Sequence, residues 1–461
     1  MRDAAQLHNV IKAYDVRGVY PQDFDENFFS DLGTAFVTML TEDGSRPEQV
    51  VIGHDMRPSA AEIVPAFAQG VTRAGVDVVI IGLCSTDGLY FASGMLAAPG
   101  AMFTASHNPA KYNGVKLCRA LAAPVGKETG LARITELLQM PLPPAADTPG
   151  TVTHRDLLEQ YRDFLHTAVD LSGIRPLRVA VDAGNGMGGL TVPAVFDGLP
   201  LEVLPLYFEL DGTFPNHEAN PIDPENLRDL QALVRESGAD LGLAFDGDAD
   251  RCFAVDERGD LIDPSTMTAL IAKRELARHP GSSIIYNLIS SRAVPEVVTE
   301  NGGTAVRSRV GHSFIKAEMA RHNAVFGGEH SGHFYFRDFW RADSGILAAL
   351  HLLAALGQTP AGTPLSSMLS AYVRWQRSGE INSVVADAHA IIAQIREHYS
   401  AVDGVRTDDL DGLTVSADDW WFNVRPSNTE PLLRLNVEAR TAQLLESTTT
   451  QALAFIRGDV Q

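Results

Sequence analysis

Asp246-Gly-Asp-Ala-Asp-Arg251 is the most chemically loaded stretch of the chain. Its three aspartates stand at alternate positions, separated only by Gly247 and Ala249. Spacers that small let the backbone curl until three carboxylates converge on one hard cation. Unpaired, the carboxylates repel one another, and a divalent metal is the natural counter-charge. The nearest rival is an EF-hand calcium loop, because Glu257 falls where such a loop closes. Its sixth position needs glycine, however, and here holds Arg251; the flanks also read as strands, not helices. A solvated acidic turn is the plainer alternative.

Three further loops carry functional groups. Thr104-Ala-Ser-His-Asn-Pro109 follows the strand-like run Ala101-Met-Phe. A strand that stops in small polar residues before a proline presents them at a sheet's carboxyl edge, where α/β proteins bind ligands. Ser106 can there serve as nucleophile or phosphoryl carrier, with His107 and Lys116 in plausible reach. Gly327-Gly-Glu-His-Ser-Gly-His333 follows Ala324-Val-Phe; its glycines permit close backbone approach. Glu329, Ser331 and His333 supply the donors and acceptors that sugar hydroxyls require. Arg425-Pro-Ser-Asn-Thr-Glu-Pro431 offers a planar guanidinium for phosphate, with Ser427, Asn428 and Thr429 as further donors on a proline-stiffened loop. Each loop alone also reads as an ordinary turn.

Gly184-Asn-Gly-Met-Gly-Gly189 fits the dinucleotide-binding fingerprint after the strand Leu177–Val181. Pro193 is expected to interrupt the helix that should open there, which favours a packing and turn role.

Elements of α/β type position these loops. The strand Val50–Gly53 precedes a helix with Ile63, Phe67 and Val71 at four-residue spacing, and Val76–Cys84 reads as the next strand. Asp223 and Pro224 open a helix that Gly238 closes, and the strand Leu241–Phe245 follows. Pro141, Pro143, Pro144 and Pro149 mark a linker, with further breaks near Asp256–Gly259 and Gly357–Pro364. Leu433–Glu438 alternates strictly, predicting a half-exposed antiparallel strand. The expected fold is α/β: three similar domains with parallel or mixed sheets, then a smaller C-terminal α+β domain. The divisions fall at 1–150, 151–257, 258–365 and 366–461.

Composition narrows the function. With 461 residues, a formal net charge of −21 and 45% hydrophobic residues, the chain reads as globular, without the basic surface that nucleic acid requires. Three scattered cysteines, lacking C-x-x-C spacing, suit a reducing compartment. The first residues lack a signal-peptide core, and no apolar run is long enough to span a bilayer. The expected setting is cytoplasmic, with no membrane and no nucleic-acid partner.

Taken in order, the four loops resemble the α-D-phosphohexomutase superfamily, most closely its bacterial phosphomannomutase/phosphoglucomutase group. The resemblance runs from Lys12-Ala-Tyr-Asp-Val-Arg-Gly18 to Arg425–Pro431 and includes Gly53-His-Asp-Met-Arg57 and Phe214-Pro-Asn-His-Glu-Ala-Asn-Pro221. It implies a heart-shaped protein of four domains around a central cleft. It implies that Ser106 is a phosphoserine and that Asp246, Asp248 and Asp250 hold Mg²⁺ with Ser106 as a further ligand. Glu329 and Ser331 would bind sugar hydroxyls, while Arg425, Ser427, Asn428 and Thr429 clamp the phosphate that is not reacting. Tyr14 and Arg17 would lie by the cleft and, with His107, bind substrate; Lys116 and Arg251 would lie by the transferring group, and His312 and His333 where protons or the sugar ring are handled. The implied reaction interconverts hexose 6-phosphate and hexose 1-phosphate, for mannose and also glucose, through a hexose 1,6-bisphosphate. The implied partners are phosphohexoses, in a monomer or homodimer.

Several relatives carry a lysine after the strand matching Ile284–Leu288; this chain continues Ile289-Ser-Ser-Arg292, so either Arg292 supplies that charge or the acid/base lies elsewhere. Phosphoglucosamine mutase is the nearest rival, although its sugar loop usually has Gln where this chain has His330. A phosphosugar-binding protein without transfer is the rival from outside the enzymes.

Overall fold

A computed structural model describes residues 2–42, 44, 46–426 and 432–458. The chain forms two compact units, residues 1–262 with 331–367, and residues 263–330 with 368–461.

The first unit opens with a six-stranded mixed sheet. Its order is Val16–Val19, Tyr112–Cys118, Gly100–Phe103, Gln49–His54, Asp77–Leu83 and Val152–His154. The inner strands are apolar along their length because helices cover the sheet. Ile63, Phe67 and Val71 are buried on the helix Ala60–Arg73, as their spacing predicts. That helix packs closely on Glu26–Glu42: a Cβ on Gly70 would collide with the Ser30 carbonyl, and one on Gly33 with that of Phe67. After the proline-rich segment the chain returns to this sheet, where Val152–His154 pairs parallel with Asp77–Leu83.

A second sheet runs Leu261–Ile262, Cys252–Val255, Leu241–Phe245, Leu177–Asp182 and Leu201–Leu206. Leu241–Phe245 and Cys252–Val255 pair antiparallel, with Phe245 opposite Cys252. The aspartate loop is therefore a hairpin connection between strands, which removes the EF-hand reading. Asp223 caps the next helical segment as expected, but its first turn, Pro224–Leu227, is a 3₁₀ helix, and the α-helix proper is Arg228–Ser237, closed by Gly238 at φ 66°. The expectation at Pro193 fails. A helix spans Gly188–Phe196 with Pro193 inside it. The packing role of the glycines stands: a Cβ on Gly186 would lie 2.7 Å from the Gly247 carbonyl oxygen, and Met187 N donates to that same oxygen at 2.9 Å. The unit ends with the paired strands Phe334–Phe336 and Ala342–Asp343 and the helix Gly345–Gly357, almost wholly buried.

In the second unit, Ser283–Asn287 pairs parallel with Thr304–Ser308 and with Phe326–Gly328. The C-terminal part is a five-stranded antiparallel sheet, ordered Gln376–Val384, Leu432–Ala439, Trp420–Pro426, Leu413–Ser416 and Arg406–Asp408. Helices Ala388–Ser400 and Ala442–Arg457 accompany it. The architecture is thus four-part α/β, mixed sheets first and an antiparallel sheet last.

The alternation in Leu433–Glu438 misleads about exposure. Asn436 and Glu438 are buried. Glu438 accepts hydrogen bonds from Arg292 N at 2.9 Å and Trp421 Nε1 at 2.6 Å. Around Asn436 and Glu438 the polar face of this strand is therefore covered by protein, and Glu438 serves as an acceptor, whereas the half-buried Arg434 donates to Glu380 Oε1 at 3.3 Å. Among the described residues, no helix is long and apolar enough to cross a membrane.

Candidate active site

Ser106 sits at the end of the strand Gly100–Phe103 with φ 50°, a left-handed conformation that is uncommon for a residue with a side chain. Two features hold it there. Ser106 N donates to Thr104 Oγ1 at 2.8 Å. Arg57, itself buried, donates to the carbonyls of Ser106, Asn108, Pro109 and Tyr112 at 2.6–3.0 Å, and through Nε to Asp55 at 3.1 Å. Spacing alone does not reveal this role, although Arg57 belongs to a motif singled out in the sequence. The serine loop is in effect wrapped around one guanidinium.

The strained turn aims Ser106 Oγ at the aspartate loop. Oγ donates to Asp246 Oδ2 at 2.9 Å and accepts from Arg251 Nη2 at 3.0 Å. Close backbone approach makes this possible, since a Cβ on Gly247 would stand 2.5 Å from the Ser106 carbonyl oxygen. Ala249, at φ 58°, completes the curl. Asp246, Asp248 and Asp250 converge with buried side chains, one oxygen of each lying within 4.8 Å of the others.

Lys116 donates to Asp248 Oδ2 at 2.7 Å and to Asp250 Oδ2 at 2.6 Å. Arg251 Nε lies 3.1 Å from Asp246 Oδ2. Burial pushes the Asp246 carboxyl well above the usual carboxylate range, and repulsion from Asp250 adds to it. For Asp248, burial acts in the same direction, but Lys116, Thr86 and Arg251 together outweigh it and hold the group below its ordinary value. His107 Nδ1 accepts from Arg251; burial and that guanidinium push its pKa down to about 2, so the imidazole is neutral.

The remaining oxygens bear on the metal. Asp248 Oδ1 and Asp250 Oδ1 are buried and have no hydrogen-bond partner. Such acceptors are costly unless something coordinates them. An all-oxygen donor set suits a hard divalent cation of the magnesium class.

His333 approaches the same loop, with Nε2 3.6 Å from Asp250 Oδ1 and Nδ1 2.9 Å from Ser331 Oγ. Arg17 Nη1 donates to Asn108 Oδ1 at 2.7 Å, beside the serine, while Tyr14 is half-buried nearby in sequence. The first unit thus gathers Ser106, His107, Lys116, the three aspartates, Arg251, Ser331, His333 and Arg17.

The second unit holds the rest. Glu329 is buried and accepts from Gly311 N at 3.0 Å, immediately before His312 opens the helix His312–His322. Arg425 donates to Glu380 Oε2 at 2.9 Å. Ser427, Asn428 and Thr429 lie outside the described residues. Arg292 donates to the carbonyls of Ala417 and Asp418 and stacks over Trp375. Those bonds give its guanidinium a structural employment, so it is a poor replacement for a catalytic lysine.

Models of the phosphoglucomutase/phosphomannomutase family match the chain in four pieces. The α/β/α domains I, II and III match residues 8–140, 159–259 and 263–374, and the C-terminal domain matches residues 380–453. The chain is similar to the phosphohexose mutases of Xanthomonas campestris, 39% identical over 97% of this chain and 99% of that one. It is also similar to the phosphomannomutase of Salmonella montevideo, 39% identical over 96% and 98%. A crystal structure of a phosphoglucomutase/phosphomannomutase family protein from Burkholderia thailandensis superimposes with a TM-score of 0.86 at 31% identity, covering 99% and 98%.

Proposed function

Because the chain belongs to the phosphoglucomutase/phosphomannomutase family, we propose that it is a phosphohexomutase interconverting hexose 6-phosphate and hexose 1-phosphate through a phosphorylated Ser106. One observation carries the reading. The Ser106 hydroxyl, on a strained turn, lies between a carboxylate at 2.9 Å and a guanidinium at 3.0 Å at the lip of a three-carboxylate loop. A binding protein needs neither that strain nor those buried charges.

Asp246, Asp248 and Asp250 would hold Mg²⁺ together with a phosphoserine oxygen. Bound there, the ion neutralises charge on the phosphoryl oxygens. The sugar's free O1 attacks the phosphorus of phosphoserine, the P–Oγ bond breaks, and a hexose 1,6-bisphosphate forms. The bisphosphate turns end for end, and Ser106 Oγ takes the phosphoryl group from O6, leaving hexose 1-phosphate. Arg251, already hydrogen-bonded to Oγ, stabilises the charge that grows on that oxygen as the bond breaks. Lys116 offsets the carboxylates. His107, held neutral, orients the serine; His333 and His312 take and return protons at the sugar oxygens.

Glu329 and Ser331 bind sugar hydroxyls. Arg425, with Ser427, Asn428 and Thr429, clamps the distal phosphate, and phosphate then competes with Glu380 for the guanidinium. Tyr14 and Arg17 border the substrate. In this division of labour one loop comes from each of residues 1–150, 151–257, 258–365 and 366–461. The three cysteines, all free, suit the cytoplasm, and the assembly is a monomer or homodimer.

No residue is evidently assigned to O2, the position that separates mannose from glucose. Turnover of mannose and glucose 1-phosphates with Mg²⁺ and a trace of bisphosphate is therefore expected to differ by no more than about 10²-fold in kcat/KM, with glucosamine 1-phosphate slower. Binding of all three without turnover of any would refute the mutase reading.

A further inference from the structure

We propose that Asp87 is a positioning residue for the aspartate loop, tying together two helix N-termini that grip the loop from two sides. The inference rests on reading Asp246–Asp250 as a metal site.

One grip is the helix Thr86–Met95. Thr86 Oγ1 donates to Asp248 Oδ2 at 2.6 Å, and Thr86 N donates to the Asp248 carbonyl at 3.0 Å. The other is the helix Gly345–Gly357. Gly345 lies so close to the loop backbone that a Cβ there would stand 2.7 Å from the Arg251 carbonyl oxygen and 2.8 Å from that of Ala249. Only glycine permits this approach.

Asp87 joins the two. Its Oδ2 accepts from Ser344 Oγ at 2.6 Å and from Tyr161 OH at 2.7 Å, and its Oδ1 accepts from Ser85 Oγ. Ser85 and Ser344 are the N-caps of the two helices, accepting from Gly88 N at 3.2 Å and Leu347 N at 3.0 Å. Tyr161 brings in a third element, the helix Leu158–Ala168. These three donors are all hydroxyls, so Asp87 is a fully buried carboxylate facing no cation among them. Burial pushes its pKa up to about 6 against the pull of the three hydroxyls. A neutral side chain would be cheaper if the site only filled space. The negative charge is favoured beside two helix N-termini, and a carboxylate alone can accept from all three hydroxyls together.

Groups behind metal ligands typically alter metal affinity by about 10–100-fold when removed. Asp87→Asn and Ser344→Ala are expected to weaken Mg²⁺ binding about tenfold or more, read by titration calorimetry and by the Mg²⁺-induced rise in Tm. At saturating Mg²⁺, KM for hexose phosphate should stay near the wild-type value. Ser344→Thr, which keeps the hydroxyl, should restore affinity. Lowered Tm with unchanged Mg²⁺ affinity in both variants would overturn the proposal and leave Asp87 a mere packing strut. If Asp87→Asn does not fold, Ser344→Ala with its threonine counterpart decides. A wild-type protein that bound no Mg²⁺ would instead sink the metal-site reading, a separate failure.

Discussion

Ser106→Ala is expected to lower kcat/KM for hexose phosphates by on the order of 10⁴ or more, with Tm essentially unchanged. Alanine leaves no oxygen at this position to carry the phosphoryl group. Thr104 Oγ1 is committed to accepting from Ser106 N, a backbone bond that alanine preserves. Loss of Oγ costs the fold little, because Asp246 and Arg251 remain paired across 3.1 Å and alanine meets the same backbone requirement as the serine it replaces. Steady-state kinetics with bisphosphate present, beside thermal melting, separates the chemical loss from a structural one. Residual activity within tenfold of wild type would mean that the phosphoryl carrier is another group.

Arg57→Met is expected to be the most damaging change away from the reacting atoms. It strips donors from four carbonyls of the serine loop and leaves Asp55, also buried, without its cation. Removing one partner of a buried pair costs about 3–5 kcal/mol, which for a chain of this length corresponds to a fall in Tm of roughly 5 °C. The serine turn, no longer wrapped around a guanidinium, should shift, and misplacement by about 1 Å costs on the order of 10²-fold in rate. Lysine is not a conservative rescue, since its point charge cannot reproduce a planar fork bonding several carbonyls at once. The double variant Arg57→Met/Asp55→Asn discriminates the two effects. It relieves the uncompensated carboxylate, so stability should partly return while activity stays low. Full recovery of activity in the double variant would show that the carbonyl cradle does not matter.

The loops are legible in the sequence where chemistry and backbone requirement coincide. Asp246–Asp250 can be placed between strands because Leu241–Phe245 and Cys252–Val255 are short apolar runs bounded by Gly, Ala and charged residues. Ser106 can be placed because small polar residues and Pro109 end a strand. Partners distant in sequence are not legible. Asp87 meets Ser344 across 257 residues, and nothing in the local spelling of either announces it. The alternation of Leu433–Glu438 predicts exposure, yet Asn436 and Glu438 are buried, and Arg292 N and Trp421 Nε1 donate to Glu438. Pro193 should break a helix by local rule, but the helix Gly188–Phe196 accommodates it. In each case tertiary packing overrides a local preference.

Mass spectrometry of Ser106 tests most directly whether the serine oxygen is the phosphoryl carrier. After incubation with hexose 1,6-bisphosphate and Mg²⁺, the peptide containing Ser106 should carry one phosphate, which hexose 6-phosphate should then remove as bisphosphate forms. A peptide that stays unmodified while the enzyme turns over hexose phosphate would contradict it.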